Sequence, residues 1–139
     1  MATSVSKLLL AAKIVQKAVL EKQNKILLIR RSYSDDSFAG WWDLPGGNVD
    51  KNENLIFSLA RELREETKLK VKPSLLRAFH MWVPSKKYVL IGYTTKNFAG
   101  TVKLSHEHPE YKWVTLQQAL KMKIQPIIRR LLRAYARIL

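Results

Sequence analysis

Apolar residues recur along this chain with two different periods, and each period marks a different kind of element. Lys13 to Glu21 and Lys25 to Arg31 are apolar runs separated by the polar turn Lys22-Gln-Asn-Lys25. They predict a hairpin of two strands, the first with imperfect alternation. Ser32 to Gly40 is polar and predicts a loop. Trp41 to Leu44 predicts a short aromatic strand, ended by Pro45-Gly46-Gly47, which should break any ladder. Leu55, Leu59 and Leu63 repeat at every fourth position, widened by Ile56 and Ala60. That spacing predicts a helix over Leu55 to Thr67, capped by Asn52 or Asn54.

Beyond the helix, Val71 to Val83 and Lys87 to Thr95 read as a long hairpin. Val102 to Leu104 reads as a further short strand, His106 to Glu110 as a loop, and Tyr111 to Val114 as a last strand. Thr115 is placed to cap a short helix, Leu116 to Met122. Pro126 suits the first turn of a final helix, in which Ile127, Ile128, Leu131, Leu132, Tyr135 and Ile138 form one apolar stripe. Helices between groups of strands, without repeats or a linker, predict one domain over residues 1–139 of mixed α/β (α+β) class.

Composition narrows the classes. No apolar run approaches the ~18 residues of a membrane span, so no membrane partner is expected. The run Leu8 to Ala12 is too short for a secretory leader, and the first arginine, Arg30, comes too late for a transit peptide. The absence of cysteine removes disulfides, thiolate zinc sites and cysteine nucleophiles, and fits a reducing, cytoplasmic setting. The net charge of +14 favours anionic partners such as nucleotides, nucleic acid or acidic membrane, or else only keeps the chain soluble. The C-terminal region carries Lys121, Lys123, Arg129, Arg130, Arg133 and Arg137 and no acid. Its plainer reading is an apolar face on the core and a basic face in solvent; contact with nucleic acid or membrane is the other.

Against this basic background, Glu53, Glu62, Glu65 and Glu66 fall within 14 residues. At helical pitch Glu62, Glu65 and Glu66 lie within about 100° of one another. Like charges at this spacing repel, and the C-terminal end of a helix disfavours them further. Either Arg61, Arg64 and Lys68 pair with a solvated acidic face, or a hard divalent cation binds there. The preceding Leu44-Pro45-Gly46-Gly47 shifts the balance towards a cation, because glycine lets the backbone approach a ligand closely.

Gly47, five residues, Glu53, seven residues, then Arg61-Glu62-Leu63-Arg64-Glu65-Glu66-Thr67-Lys68-Leu69 resembles the Nudix box. The one departure is Lys68, where the family has glycine to end the helix in left-handed geometry. The resemblance covers nearly the whole chain in its order of elements and implies a Nudix-type α/β/α sandwich with a mixed sheet. It also implies roles. Glu65 and Glu66 would be principal metal ligands, with the Gly46 carbonyl as a further one. Glu62 would bind metal or act as general base. Arg61 would orient the glutamates, and Glu53 would pair with it and hold the loop behind Gly47. Ser105 to Trp113 resembles the family segment in which a loop glutamate precedes an aromatic strand. Glu107 matches that position as a metal ligand or base, with Glu110 as the alternative. His106 and His108 are read as loop residues.

The implied reaction is hydrolysis of a nucleoside diphosphate linked to another moiety, assisted by Mg²⁺ or Mn²⁺. Arg30, Arg31, Trp41 and Trp42, close to the box in sequence, are candidates to hold the substrate. NTPs, dinucleoside polyphosphates, ADP-ribose and nucleotide sugars are all candidates. Pro84, 15 residues past Leu69, is similar in spacing to ADP-ribose hydrolases of the family. The other readings are removal of a cap or pyrophosphate from RNA, and a nucleotide-binding module without catalysis. The resemblance also implies a homodimer.

Overall fold

The structure, a computed structural model, describes residues 12–50 and 52–139. The run expected to be too short for a leader, Leu8 to Ala12, lies mostly outside them. Nine strands and three α-helices follow along these residues. They are β1 (Lys13–Lys22), β2 (Lys25–Arg30), β3 (Trp42–Asp43), β4 (Gly46–Asn48), α1 (Leu55–Thr67), β5 (Lys70–Val71), β6 (Arg77–Ser85), β7 (Tyr88–Thr95), β8 (Phe98–Ala99), β9 (Tyr111–Val114), α2 (Leu116–Lys121) and α3 (Pro126–Ile138).

The hairpin β1–β2 turns through Gln23 and Asn24, both at positive φ (53° and 62°), as a two-residue turn between right-twisted strands requires. The main sheet is mixed: β1 runs antiparallel to β2 and parallel to β7, and β6 pairs antiparallel with β7. Its faces alternate residue by residue. Val15, Val19, Ile26, Leu28 and Leu90 pack beneath α2 and α3, with Ile128, Leu131, Leu132 and Tyr135. Ala18, Leu20, Leu27, Ile29, Val89 and Ile91 pack beneath α1, with Leu59 and Leu63. Both faces are therefore covered, and the imperfect alternation of β1 has its reason: neither face meets water. The architecture is the expected mixed α/β sandwich.

Three expectations are corrected. First, Gly46 and Gly47 do not break the ladder. β1 pairs with β2 only at its far end (Glu21 with Ile26, Lys22 with Lys25), and β4 enters the gap, pairing Lys17 with Gly46 and Val15 with Asn48. Gly46 has φ 135°, and a Cβ there would stand 2.1 Å from the Gln16 carbonyl oxygen, so only glycine lets β4 in so close. Second, Val71 to Val83 is not one strand. Pro73 starts a 3₁₀ turn, and β5 leaves to pair with β8. Third, Val102 to Leu104 forms no strand. Its backbone closes the end of α1 instead: Lys103 N–H donates to the Thr67 carbonyl (2.9 Å) and Ser105 N–H to that of Glu66 (3.2 Å). The last carbonyls of a helix need such donors.

Candidate functional site

α1 starts at Asn54, whose side chain accepts from the amides of Ile56 (3.0 Å) and Phe57 (3.2 Å). It ends at Lys68, which takes the left-handed conformation itself, φ 64°, and donates its N–H to the Arg64 carbonyl. The lysine thus keeps the backbone geometry of the glycine it replaces, at about 1 kcal/mol of local strain.

Glu53, just before the helix, and Glu62, Glu65 and Glu66 within it separate into two sets. On the outer side, Arg61 grips Glu53 through Nη2 to Oε1 (2.9 Å) and Nε to Oε2 (3.2 Å). Its Nη1 meets both carboxylate oxygens of Glu65 at 3.0 and 3.1 Å. These bonds hold the Glu53 carboxyl below its ordinary value and keep Arg61 charged. The Glu65 side chain is 58% exposed and does not line the cavity described below.

On the inner side, Glu66 is 7% exposed. Its Oε1 accepts from the Gly46 amide at 3.3 Å, and its Oε2 lies 3.8 Å from Nε2 of His108. Burial pushes its pKa up to about 8, helped by Glu62 and Asp43 and opposed by Lys17 and the Gly46 amide. Glu62, one turn earlier, packs against Gly47: a Cβ on Gly47 would stand 3.2 Å from its carboxyl carbon. Burial raises its pKa as well. Burial likewise lowers the pKa of His108, which favours a neutral imidazole.

Glu62, Glu66, Gly46, Gly47 and Glu107 line one open cavity of about 860 Å³. Arg31, Ser32, Ser34, Asp35 and Ser37 form another wall, so the polar loop 32–40 faces the acidic helix. The cavity also contains residues for which the sequence reading had no role. Asp43 is 1% exposed and its Oδ2 accepts from Lys17 Nζ (3.2 Å) and Gln125 Nε2 (2.8 Å); Arg31 Nη1 lies 3.5 Å away. Lys17 and Asp43 each interrupt an apolar run, and a charge inside such a run is the signal that could have found them. His108, read as a loop residue, is half-buried beside Glu66.

Three of the four residues named as substrate contacts stand elsewhere. Only Arg31 reaches the cavity. Arg30 is turned to Glu110 (Nη1 to Oε1, 2.9 Å) and to the Gly40 carbonyl, and lies over the Tyr33 and Trp42 rings. Trp42 is buried in the core beneath α2 and α3, and Trp41 lines a second cavity. The reason is position: Arg30 ends β2 and is held by Glu110, whereas Arg31 follows the strand and turns towards Asp43. Glu110 is likewise occupied by Arg30, whereas Glu107 sits at the exposed rim of the acidic cavity.

The donor set suits a hard divalent cation. Glu62 and Glu66 are unpaired by any arginine at ion-pair distance except Arg61 at 3.6 Å from Glu62, and Glu66 carries an unfavourable burial that a cation would relieve. Among the described residues no three acidic or histidine side chains are gathered closely enough to hold an ion alone. Two carboxylates with water and substrate phosphate completing the shell is the arrangement Mg²⁺ ordinarily takes.

Comparison with known proteins shows which family the chain resembles. The family model described as NUDIX domain matches residues 14–135. The chain is 33% identical over 119 residues to a CTP pyrophosphohydrolase of Escherichia coli, covering 85% of this chain and 87% of that one. It is 34% identical over 99 residues to an 8-oxo-dGTP diphosphatase of Buchnera aphidicola, covering 70% and 73%. Its fold matches the crystal structure of a MutT protein from Methanosarcina mazei with TM-score 0.77 and 32% identity, covering 91% and 94%.

Proposed function

The chain belongs to the Nudix hydrolase family, and from that premise we propose that it hydrolyses nucleoside triphosphates to a nucleoside monophosphate and pyrophosphate, using Mg²⁺ or Mn²⁺. The observation that carries the reading is that Glu62 and Glu66 line the same cavity as Arg31 and Lys17. Carboxylates that hold a cation face cations that hold phosphate. Two relatives matched over more than two thirds of both chains are named for triphosphate substrates, which favours NTPs over the other candidates.

Glu62 and Glu66 would hold a divalent cation, which when bound would supply charge neutralisation and a more acidic water. The chain's own residues do the rest. Arg31 donates to phosphate oxygens from the loop wall. Lys17, held by Asp43, adds positive charge at the floor. Glu62 takes the proton of the attacking water: it is turned inward beside Glu66, whereas Glu107 stands at the rim. The oxygen of that water bonds to phosphorus as the bond to the pyrophosphate oxygen breaks. Glu65 acts through Arg61 as a positioning residue, since it does not line the cavity.

The test is a screen of CTP and other NTPs, dinucleoside polyphosphates, ADP-ribose, nucleotide sugars and 5′-triphosphate RNA, with Glu66→Gln as control. NTP cleavage that requires a divalent cation and falls by at least about 100-fold in the variant is expected. Cleavage of none, or equal cleavage by the variant, overturns the reading. Preference for another substrate overturns its substrate half.

A further inference from the structure

On the other side of the segment Ile124 to Ile127 lies a second cavity, of about 590 Å³. Gln125 and Ile127 line the acidic cavity, whereas Ile124 and Pro126 line this one, so the two stand back to back across one stretch of chain. Its charge is the reverse of the first. Arg129, Arg130, Arg133 and Arg137 enter it from α3, with Trp41 and His80 opposite, and among the described residues no carboxylate lines it.

The arginines are arranged, not scattered. Arg129 is anchored: its Nη1 donates to the Leu120 carbonyl at 2.6 Å. Arg130 lies over the Trp82 ring, 4.2 Å from its centroid. At helical pitch Arg130, Arg133 and Arg137 fall within about 60° of one another and span about 10 Å of the axis. Among the described residues none of these three takes part in an ion pair with a carboxylate. His80 Nε2 is buried there without a hydrogen-bond partner. Like charges gathered on one stripe raise the folding free energy unless an anion joins them.

We propose that this groove binds single-stranded nucleic acid, with its phosphates along Arg130, Arg133 and Arg137 and a base beside Trp41, whose ring also meets Lys123 Nζ at 4.8 Å and Phe38 edge-on at 5.1 Å. The stripe spans the distance of two to three phosphates, and the apolar floor of Ile124 and Pro126 offers a base a dry contact. Aromatic rings interleaved with arginines are what a single strand uses, because every base has a face to stack and every linkage a charge. A flat acidic membrane would call for exposed apolar residues along the length of the helix, whereas Ile128, Leu131, Leu132, Ala134 and Tyr135 of α3 are buried and its exposed large apolar residue is the last, Ile138. The groove is separate from the acidic cavity, so the inference stands or falls apart from the hydrolytic reading.

The probe is a fluorescein-labelled 12-residue oligothymidylate with a 5′-hydroxyl, which offers the acidic cavity no triphosphate. Anisotropy is followed against KCl for the wild type and for Arg133→Ala with Arg137→Ala. Binding by the wild type is expected, with log K falling against log salt at a slope near −2, about 0.7 for each phosphate contacted. The double variant should bind at least about tenfold more weakly with a shallower slope, while NTP hydrolysis and the thermal transition stay unchanged. Failure of the wild type to bind overturns the proposal, as does equal binding by the folded variant. So does competition by thymidine monophosphate as effective as by the oligomer, or binding to phosphatidylglycerol vesicles in place of the oligomer. The wild-type salt dependence and competition data decide the matter even where the variant does not fold.

Discussion

The Gly46 amide donates to Oε1 of Glu66 across 3.3 Å, and this bond joins the middle of the sheet to the last turn of α1. It requires β4 to lie in the gap beside β1, where a Cβ at position 46 would stand 2.1 Å from the Gln16 carbonyl oxygen. Gly46→Ala should therefore destabilise the fold by on the order of 3 kcal/mol, from both the clash and the positive φ. Chemical denaturation measures it. A loss under about 0.5 kcal/mol, the ordinary range of a surface substitution, would show that β4 can shift without cost.

Glu66 links pH to both stability and metal binding. Its folded pKa is raised to about 8 from an ordinary 4.5. The folded chain therefore binds this proton more tightly than the unfolded one. The contribution to stability is fully present below pH 4.5 and is lost as pH rises through about 8. In EDTA, wild-type stability should fall from about pH 4.5 to about pH 8 and level off above it, while that of Glu66→Gln changes less. A divalent ion must displace the same proton, so metal affinity should rise up to about tenfold per pH unit below pH 8. Calorimetric titration with Mn²⁺ at pH 6, 7 and 8 reads this directly; affinity independent of pH contradicts it.

Lys68 holds a left-handed conformation at an exposed helix end, φ 64°. Lys68→Gly should raise stability by roughly 0.5–1 kcal/mol, the relief of strain being partly offset by the added freedom of the unfolded chain. Hydrolysis should be unaffected, because Glu62 and Glu66 precede this position. A lower melting temperature for the glycine variant would mean that Lys68 makes a compensating contact.

Asp43 and Lys17 form a buried ion pair at 3.2 Å, with Gln125 adding a hydrogen bond. Asp43→Ala leaves the lysine charge buried without its partner and should cost about 3–5 kcal/mol. Asp43→Asn keeps a hydrogen-bond acceptor and should cost less. Equal losses for the two variants would show that the volume of the side chain, not its charge, is what matters.

The two kinetic roles of the box can be separated. Glu65 meets Arg61 on the outside of the helix and does not line the cavity, whereas Glu66 does. Glu65→Gln should therefore lower kcat by about tenfold, the smaller effect of a supporting contact, against at least about 100-fold for Glu66→Gln. Steady-state kinetics of both variants under saturating Mg²⁺ gives the comparison. A larger loss for Glu65→Gln would place that side chain on the metal.

Much of this protein was legible one-dimensionally, because the information is local. The leucine period of α1, a cap at Asn52 or Asn54, the Thr115 cap and the proline that opens α3 depend on residues within a turn or two of one another; the structure chose Asn54 and added Gln118 to the Thr115 cap. The spacing of Gly47, Glu53, Arg61 and the glutamates is local too, since a loop and a helix carry it. The alternation of β1 and β2 sufficed to predict strands, though not their neighbours. What only the tertiary structure decided is pairing across distance. β1 diverges from β2, and the gap admits a glycine strand that propensity alone excludes. The backbone of residues 103 and 105 goes to the open carbonyls of α1 rather than to a ladder, because buried carbonyls must find donors somewhere. The split of the glutamates follows from the same physics. A helix places them by angle, but Arg61 draws Glu65 outward while the sheet, through Gly46, holds Glu66 inside. Glu110 holds Arg30 away from the acids, while Arg31, just past the end of β2, turns towards Asp43. Lys17 and Asp43 meet because β1 and β3 bring them together from 26 residues apart, a distance at which no local period carries a signal.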